Sequence, residues 1–254
     1  MSRIRTKTRQ RGFTLIELLV ALGIFLLICG AAFTLLASSQ QRYRTESQVL
    51  TSFQEARLAL DQIIRDVNDS GYPPPTYNGG NHIYYADSPF AWSPGYPSGT
   101  SCAIGTGIGT QCTIPGGFDL IIETIPNRQD PNCAPNCIVQ WIRYQLSGTT
   151  LYRGPADKVW GHDPDSDTAS KLVPFVQNVV NNASQPIFSY TCDTPTASQP
   201  QPKPCSSAGT DSLPTNVRDI AITLIVATPL PDATSGAQRI VQLSGRGRRI
   251  NPNQ

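Results

Sequence analysis

Histidine is almost missing from this chain of 254 residues, with only His82 and His162 present, both in loop-like contexts. Charged residues make up only 15% and aromatic residues only 8%. No Gly-rich phosphate loop, nucleophile elbow or metalloprotease helix occurs. Catalysis needs nucleophiles, bases or ligands that can converge on a substrate, and so short an inventory points away from an enzyme. Proline is absent before Pro73, so nothing interrupts a helix in the first seventy residues. Basic excess is also absent from most of the chain. Arg3, Arg5, Lys7, Arg9 and Arg11 place five cations and no acid in the first twelve residues; without them 15 basic residues face 18 acidic ones. Nucleic acid is therefore not the partner this charge distribution favours, because a binder keeps its basic excess in the folded body.

What is present comes in two compositions. From Leu15 to Ala37 the sequence reads LIELLVALGIFLLICGAAFTLLA, with Glu17 its single charge. At a helical rise of about 1.5 Å per residue, Leu18 to Ala37 spans roughly 30 Å, one hydrocarbon core. The basic block before it predicts a cytoplasmic N-terminus and export of everything after Ala37. A cleaved secretory signal has a shorter apolar stretch and small residues at its cut. A lipoprotein box fails because Leu27 and Ile28 precede Cys29. Past Ala37, the residues Tyr43, Val49, Leu50, Phe53, Ala56, Leu60, Ile63, Ile64 and Val67 recur every three or four positions, predicting an amphipathic continuation of the helix. Arg57, Gln62, Arg65 and Asp66 are assigned to its other faces. Ser70-Gly71-Tyr72 and the prolines Pro73 to Pro75 end it. The predicted helix is about 55 residues and about 80 Å long.

The rest is strand and loop. Residues 73 to 117 are rich in Pro, Gly, Tyr and Ser, with a small strand predicted at His82 to Ala86. Further strands are predicted at Phe118 to Ile125, Ile138 to Leu146, Thr150 to Arg153, Pro186 to Cys192, Val217 to Thr228 and Gln238 to Arg249, with a hairpin turn at Ser147-Gly148. A helix followed by strands argues for an α+β fold with an antiparallel sheet. Six cysteines lie in the region predicted to be exported, where disulfides persist. Sequence proximity favours Cys102–Cys112, Cys133–Cys137 and Cys192–Cys205 among fifteen connectivities. Asp163, Asp165 and Asp167 have the spacing that opens a calcium loop, although Thr168 and Pro174 stand where such a loop needs Gly and Glu. Structural calcium there is the one cofactor suggested, and a solvated acidic turn is the alternative. Arg239, Arg246, Arg248 and Arg249 read as cations guarding an edge strand.

The string Arg11-Gly12-Phe13-Thr14-Leu15-Ile16-Glu17, with its basic leader and following apolar run, resembles the type III signal of prepilins and pseudopilins. That resemblance implies cleavage between Gly12 and Phe13 by a prepilin peptidase, N-methylation of Phe13, and a pairing of Glu17 with the Phe13 amine of a neighbouring subunit. It divides the chain into a cleaved leader (1–12), a membrane and filament-core helix (13–37), its amphipathic half (38–71) and a periplasmic β head (72–254). Ala56 to Asp66 and Val139 to Arg153 resemble PilW-family minor pilins, with J-type pseudopilins of type II secretion next. The resemblance implies a pilin-like α+β fold, a long helix packed on an antiparallel sheet. Its implied partners are other minor and major pilins, an inner-membrane assembly platform and a tip adhesin. The implied location is the inner membrane, then the pilus tip. Adhesion or DNA uptake by a displayed head is the alternative of a different kind.

Overall fold

The computed structural model describes residues 12–74, 82–86, 89–90, 116–125, 137–160, 162–193, 202–205, 216–232 and 235–249. The leader through Arg11, Cys102, Cys112, Cys133 and most of the loop-rich stretch before Gly116 lie outside them.

Helix α1 runs unbroken from Leu15 to Asp69, 55 residues. Thr14 caps its start, and at its far end Ser70 donates through both its N–H and its hydroxyl to the Val67 carbonyl. Gly71 then takes φ 78°, a left-handed conformation that glycine adopts without steric cost. The first buried residue along α1 is Ser52; Ala56, Ala59, Leu60, Ile63, Asp66 and Val67 follow at helical spacing. Two members of the predicted apolar face lie outside this contact: Tyr43 is 74% exposed and Leu50 61%. Full burial against the head is confined to the last five turns of the helix.

The strands form two four-stranded antiparallel sheets rather than one. The first has the order β1 (Asp119–Thr124), β2 (Gln140–Ser147), β3 (Thr150–Asp157), β4 (Val173–Val176). The second has the order β6 (Lys203–Pro204), β5 (Phe188–Cys192), β7 (Val217–Ala227), β8 (Ile240–Arg248). Between β3 and β4 lies the short helix α2 (Pro164–Ala169). In the β2–β3 hairpin Ser147 pairs with Thr150, and Gly148 supplies the positive φ of 60° that a two-residue turn needs. The predicted strand at His82 to Ala86 is instead one 3-10 turn, His82–Tyr84. Side-chain contacts define that turn: His82 stacks on Trp160 at 3.4 Å between ring centres and bonds to the Tyr85 hydroxyl at 2.8 Å.

Both sheets and the helix share one core. Leu120, Ile122, Ile142, Tyr144 and Leu151 come from the first sheet, Phe188, Ile220, Ile222 and Leu224 from the second, and Ala56, Leu60, Ile63 and Val67 from α1. Helix and second sheet approach closely at Gly245 and Gly247 of β8. A Cβ at Gly247 would lie 2.5 Å from Val67 Cγ1, and one at Gly245 would collide with Ile64 Cδ1. The two glycines leave space for Ile64 and Val67, so α1 lies directly on the sheet.

Candidate functional site

The N-terminal end of α1 is built from four residues. Gly12, Phe13 and Thr14 precede the helix in non-helical backbone, and Phe13 is 89% exposed. Thr14 has φ −76° and ψ 151°, the extended geometry of an N-cap. Its hydroxyl accepts the Glu17 N–H at 3.3 Å, while Glu17 Oε2 accepts both the Thr14 N–H and the Thr14 hydroxyl at 2.9 Å. This reciprocal capping box satisfies two amides that the first helical turn leaves without a backbone partner. It also places a carboxylate at the positive end of the helix dipole, where an anion is favoured. Both bonds fall on Oε2, which leaves Oε1 for an external cation.

Behind the cap the large apolar side chains from Leu15 to Leu36 are all exposed. Among the described residues α1 alone is long and apolar enough to cross a membrane, and none of its apolar stretch is buried in the head. Such a surface calls for lipid or other helices. The peptide bond between Gly12 and Phe13 thus lies in open, non-helical chain one residue before a capped apolar helix.

The acidic segment opens a short helix. Asp163 is the N-cap of α2: its carboxylate accepts the Asp165 N–H at 2.9 Å and the Ser166 hydroxyl at 3.2 Å. Burial pushes its carboxyl above the usual carboxylate range, against those two hydrogen bonds. Asp165 pairs with Arg143 at 2.6 Å, and Asp167 lies 3.1 Å from His162 Nδ1. The three carboxylates therefore serve three different partners. Among the described residues no cluster of His, Cys, Asp or Glu could hold a metal ion. Asp163 followed by Pro164 is a helix-start signal, which accounts for the helix found there.

Of the cysteines, Cys192 and Cys205 form the expected disulfide, tying β5 to β6. Cys137 is disulfide-bonded as well, and Cys29 is not. The arginines expected to guard an edge are divided: Arg239 pairs with Asp232 at 2.8 Å, and Arg246 with Asp219 at 2.8 Å. Arg248 lies 3.9 Å from Asp219, and Arg249 is buried.

Sequence reasoning missed the polar centre that locks the helix to the head. Asp66, assigned with Gln62 to faces other than the apolar one, is only 3% exposed. Its carboxylate accepts the Tyr144 hydroxyl at 2.5 Å, Arg153 Nη2 at 2.9 Å and Gln62 Nε2 at 2.7 Å. Burial, then the Asp66 charge, pushes the Tyr144 phenol well above its ordinary value. A signal existed: Asp66 stands three residues after Ile63 and seven after Ala59, inside the apolar arc. On the opposite face of the first sheet, Glu123 and Lys158 form a fully buried pair at 3.3 Å. Trp141 Nε1 donates to Glu123 at 2.9 Å, and Lys158 donates to the Tyr85 carbonyl at 2.9 Å.

Comparison with known proteins bears on the helix end. The family model described as the prokaryotic N-terminal methylation motif matches residues 7–35. Among solved structures, a type IV-like pilin from Thermus thermophilus is similar at 11% identity, over 56% of this chain and 84% of that one, with a TM-score of 0.33. At that score the likeness is weak, and the fold rests on the helix and sheets themselves. No curated protein matches the sequence. The capped apolar helix with Gly12, Phe13 and Glu17 at its head is thus a prepilin-type N-terminal methylation motif, carried on an α+β chain of one long helix and two antiparallel sheets.

Proposed function

We propose that this chain is a minor pilin, similar to PilW proteins, that helps to prime or tip a type IV pilus. The observation that carries the reading is the open Gly12–Phe13 junction beside the Thr14–Glu17 cap, at the head of a helix whose apolar half is left uncovered by the described residues of the head. A prepilin peptidase would add water across the Gly12–Phe13 bond, releasing the basic leader with a Gly12 carboxylate. Phe13 would be left with a new ammonium, which is then methylated.

Assembly would follow from the same geometry. Glu17 is held by Thr14 through one carboxylate oxygen only, so the other can meet the Phe13 ammonium of a neighbouring subunit. In a lipid or helix-packed surround that attraction is strong, and it fixes the axial register of one helix on the next. Exposed Tyr43 and Leu50 extend the contact surface below the membrane stretch. The role is structural, and the partners are the peptidase, other major and minor pilins and the assembly platform.

N-terminal sequencing and intact mass of the chain recovered from its own cells test the processing step. The expected product begins at a methylated Phe13 and lacks residues 1–12. A chain that still carries Met1 to Gly12 in cells with an active peptidase would contradict the reading.

A further inference from the structure

Two sheets have four outer edges, and three of these are blunted. Strand β4 is four residues long and contains Pro174, and β6 is two residues long and contains Pro204. The outer edge of β1 is occupied: Gly71 donates to the Glu123 carbonyl at 2.8 Å, and Glu123 donates to the Pro89 carbonyl at 3.1 Å. Short strands, prolines and covering segments are the usual ways of closing an edge. Strand β8 is neither short nor interrupted by proline, and among the described residues its outward backbone is met only at its end, by Asn68 of α1. It pairs with β7 over nine consecutive residues with no register shift and contains no proline.

The parity of the ladder shows which groups face outward. Thr228 donates to the Arg239 carbonyl at 2.8 Å, so Val241, Leu243, Gly245 and Gly247 exchange their bonds with β7. Ile240, Gln242, Ser244, Arg246 and Arg248 turn their N–H and C=O groups to the open side. Arg248 bears this out by donating its N–H to Asn68 Oδ1 of α1 at 2.8 Å. That leaves the outward groups from Ile240 to Arg246, with no partner among the described residues.

Charge and shape restrict what fits there. Arg218, Arg246 and Arg248 lie at 3.9, 2.8 and 3.9 Å from the single buried carboxylate of Asp219, while Asp193 pairs with Arg218 and attracts the buried Arg249. The outer face at this end of β8 keeps an excess of positive charge. On the inner side, α1 flanks the edge with half-buried Ile64. A strand added here would thus set alternate side chains against the apolar flank of α1 and against the arginines. A second copy of β8 would bring more arginine and no acid, so self-pairing is disfavoured.

We propose that the open edge of β8 receives an extended segment of a partner protein, one that alternates apolar and polar residues and carries a carboxylate opposite Arg246 or Arg248. The site stands whether or not the chain enters a filament. The probe is the synthetic peptide EVTVTVE, which offers valines on one face and Glu on the other in either strand direction, with KVTVTVK as its counterpart. The full chain in detergent micelles is titrated with each, and amide exchange is followed. The acidic peptide should slow exchange at Gln242, Ser244 and Arg246 and bind about tenfold more tightly than the basic one, the size expected of a complementary charge pair. Ser244→Pro removes one outward N–H and no ladder bond, so it should keep the melting temperature and weaken the acidic peptide about tenfold, the effect of one lost hydrogen bond and its neighbour. Ser244→Ala should bind normally. Three results would overturn the proposal: absent binding of the acidic peptide, equal binding of both peptides, or protection confined to other amides. Protection of the same three amides that rises with chain concentration in the absence of peptide would overturn it in favour of a second copy. Should Ser244→Pro unfold, the exchange pattern and the charge preference of the unaltered chain decide alone.

Discussion

Replacing Asp66 by Ala tests how the head is fastened to its helix. The substitution removes the acceptor for Tyr144, Arg153 and Gln62 together. Deleting one member of a buried pair costs about 3–5 kcal/mol because the other charge is left without compensation. The Arg153 side chain retains 21% exposure, so water relieves part of that cost and the lower figure of about 3 kcal/mol applies. With an m-value of about 2 kcal/mol/M, the urea midpoint should fall by about 1.5 M. The assay is urea unfolding of the full chain in detergent, followed by tryptophan fluorescence, because Trp141 is fully buried in the head. Asp61→Ala, five residues earlier on the exposed face of α1, is the reference, with an expected change within about 0.5 kcal/mol. In the double variant Asp66→Ala with Arg153→Met the losses should fall short of additivity by about 1–3 kcal/mol. An Asp66→Ala midpoint indistinguishable from that of Asp61→Ala would refute the claim that this centre holds helix and head together.

Other consequences can be checked separately. The Tyr144 phenol is pushed up in the folded chain by burial and by Asp66. Its contribution to stability is therefore complete below the unfolded value of about 10 and is lost as pH rises through the higher folded value. Stability measured from pH 9 to 11, a range set around that value of about 10, should decline less steeply in Tyr144→Phe than in the unaltered chain. Gly247→Ala drives a methyl group to 2.5 Å from Val67 Cγ1 and should cost about 1–3 kcal/mol by overpacking, read as a lower urea midpoint. Cys192→Ser opens a disulfide that spans 13 residues and should cost about 3 kcal/mol by the chain-entropy argument, visible as a lower melting temperature without reductant. Glu17→Ala should leave the head's melting temperature unchanged while reducing recovery of the chain in sheared filaments. Unimpaired incorporation would count against the Glu17–Phe13 contact.

What the sequence disclosed was mostly local. The cap residues Thr14 and Glu17 are three apart, and the apolar run beside them is continuous, so the helix and the processing motif are readable without any distant contact. Alternation likewise located β1, β2, β5, β7 and β8 to within a residue or two of their ends. The failures involve partners far apart in the chain. Asp66 meets Tyr144 and Arg153 across 78 and 87 residues, so its place in the apolar arc hints at burial but nothing near it names the partners. The division into two sheets depends on which strands pair, and alternation within a strand does not encode that. At Asp163 the local signal was ambiguous: the same carboxylate spacing suits a calcium loop or a helix N-terminus, and Arg143 on β2 takes Asp165 at 2.6 Å. The role of Gly245 and Gly247 in β8 shows only in the fold, where Ile64 and Val67 pack over them.

The central claim, a part in building a pilus, is tested most directly by the amount of major pilin in the sheared surface fraction of a strain lacking this gene, with the intact gene restored as control. Loss of surface pilin, recovered on complementation, is the predicted result. Normal surface pilin in the deletion strain would contradict the claim and move the weight to a J-type pseudopilin of a secretion pseudopilus.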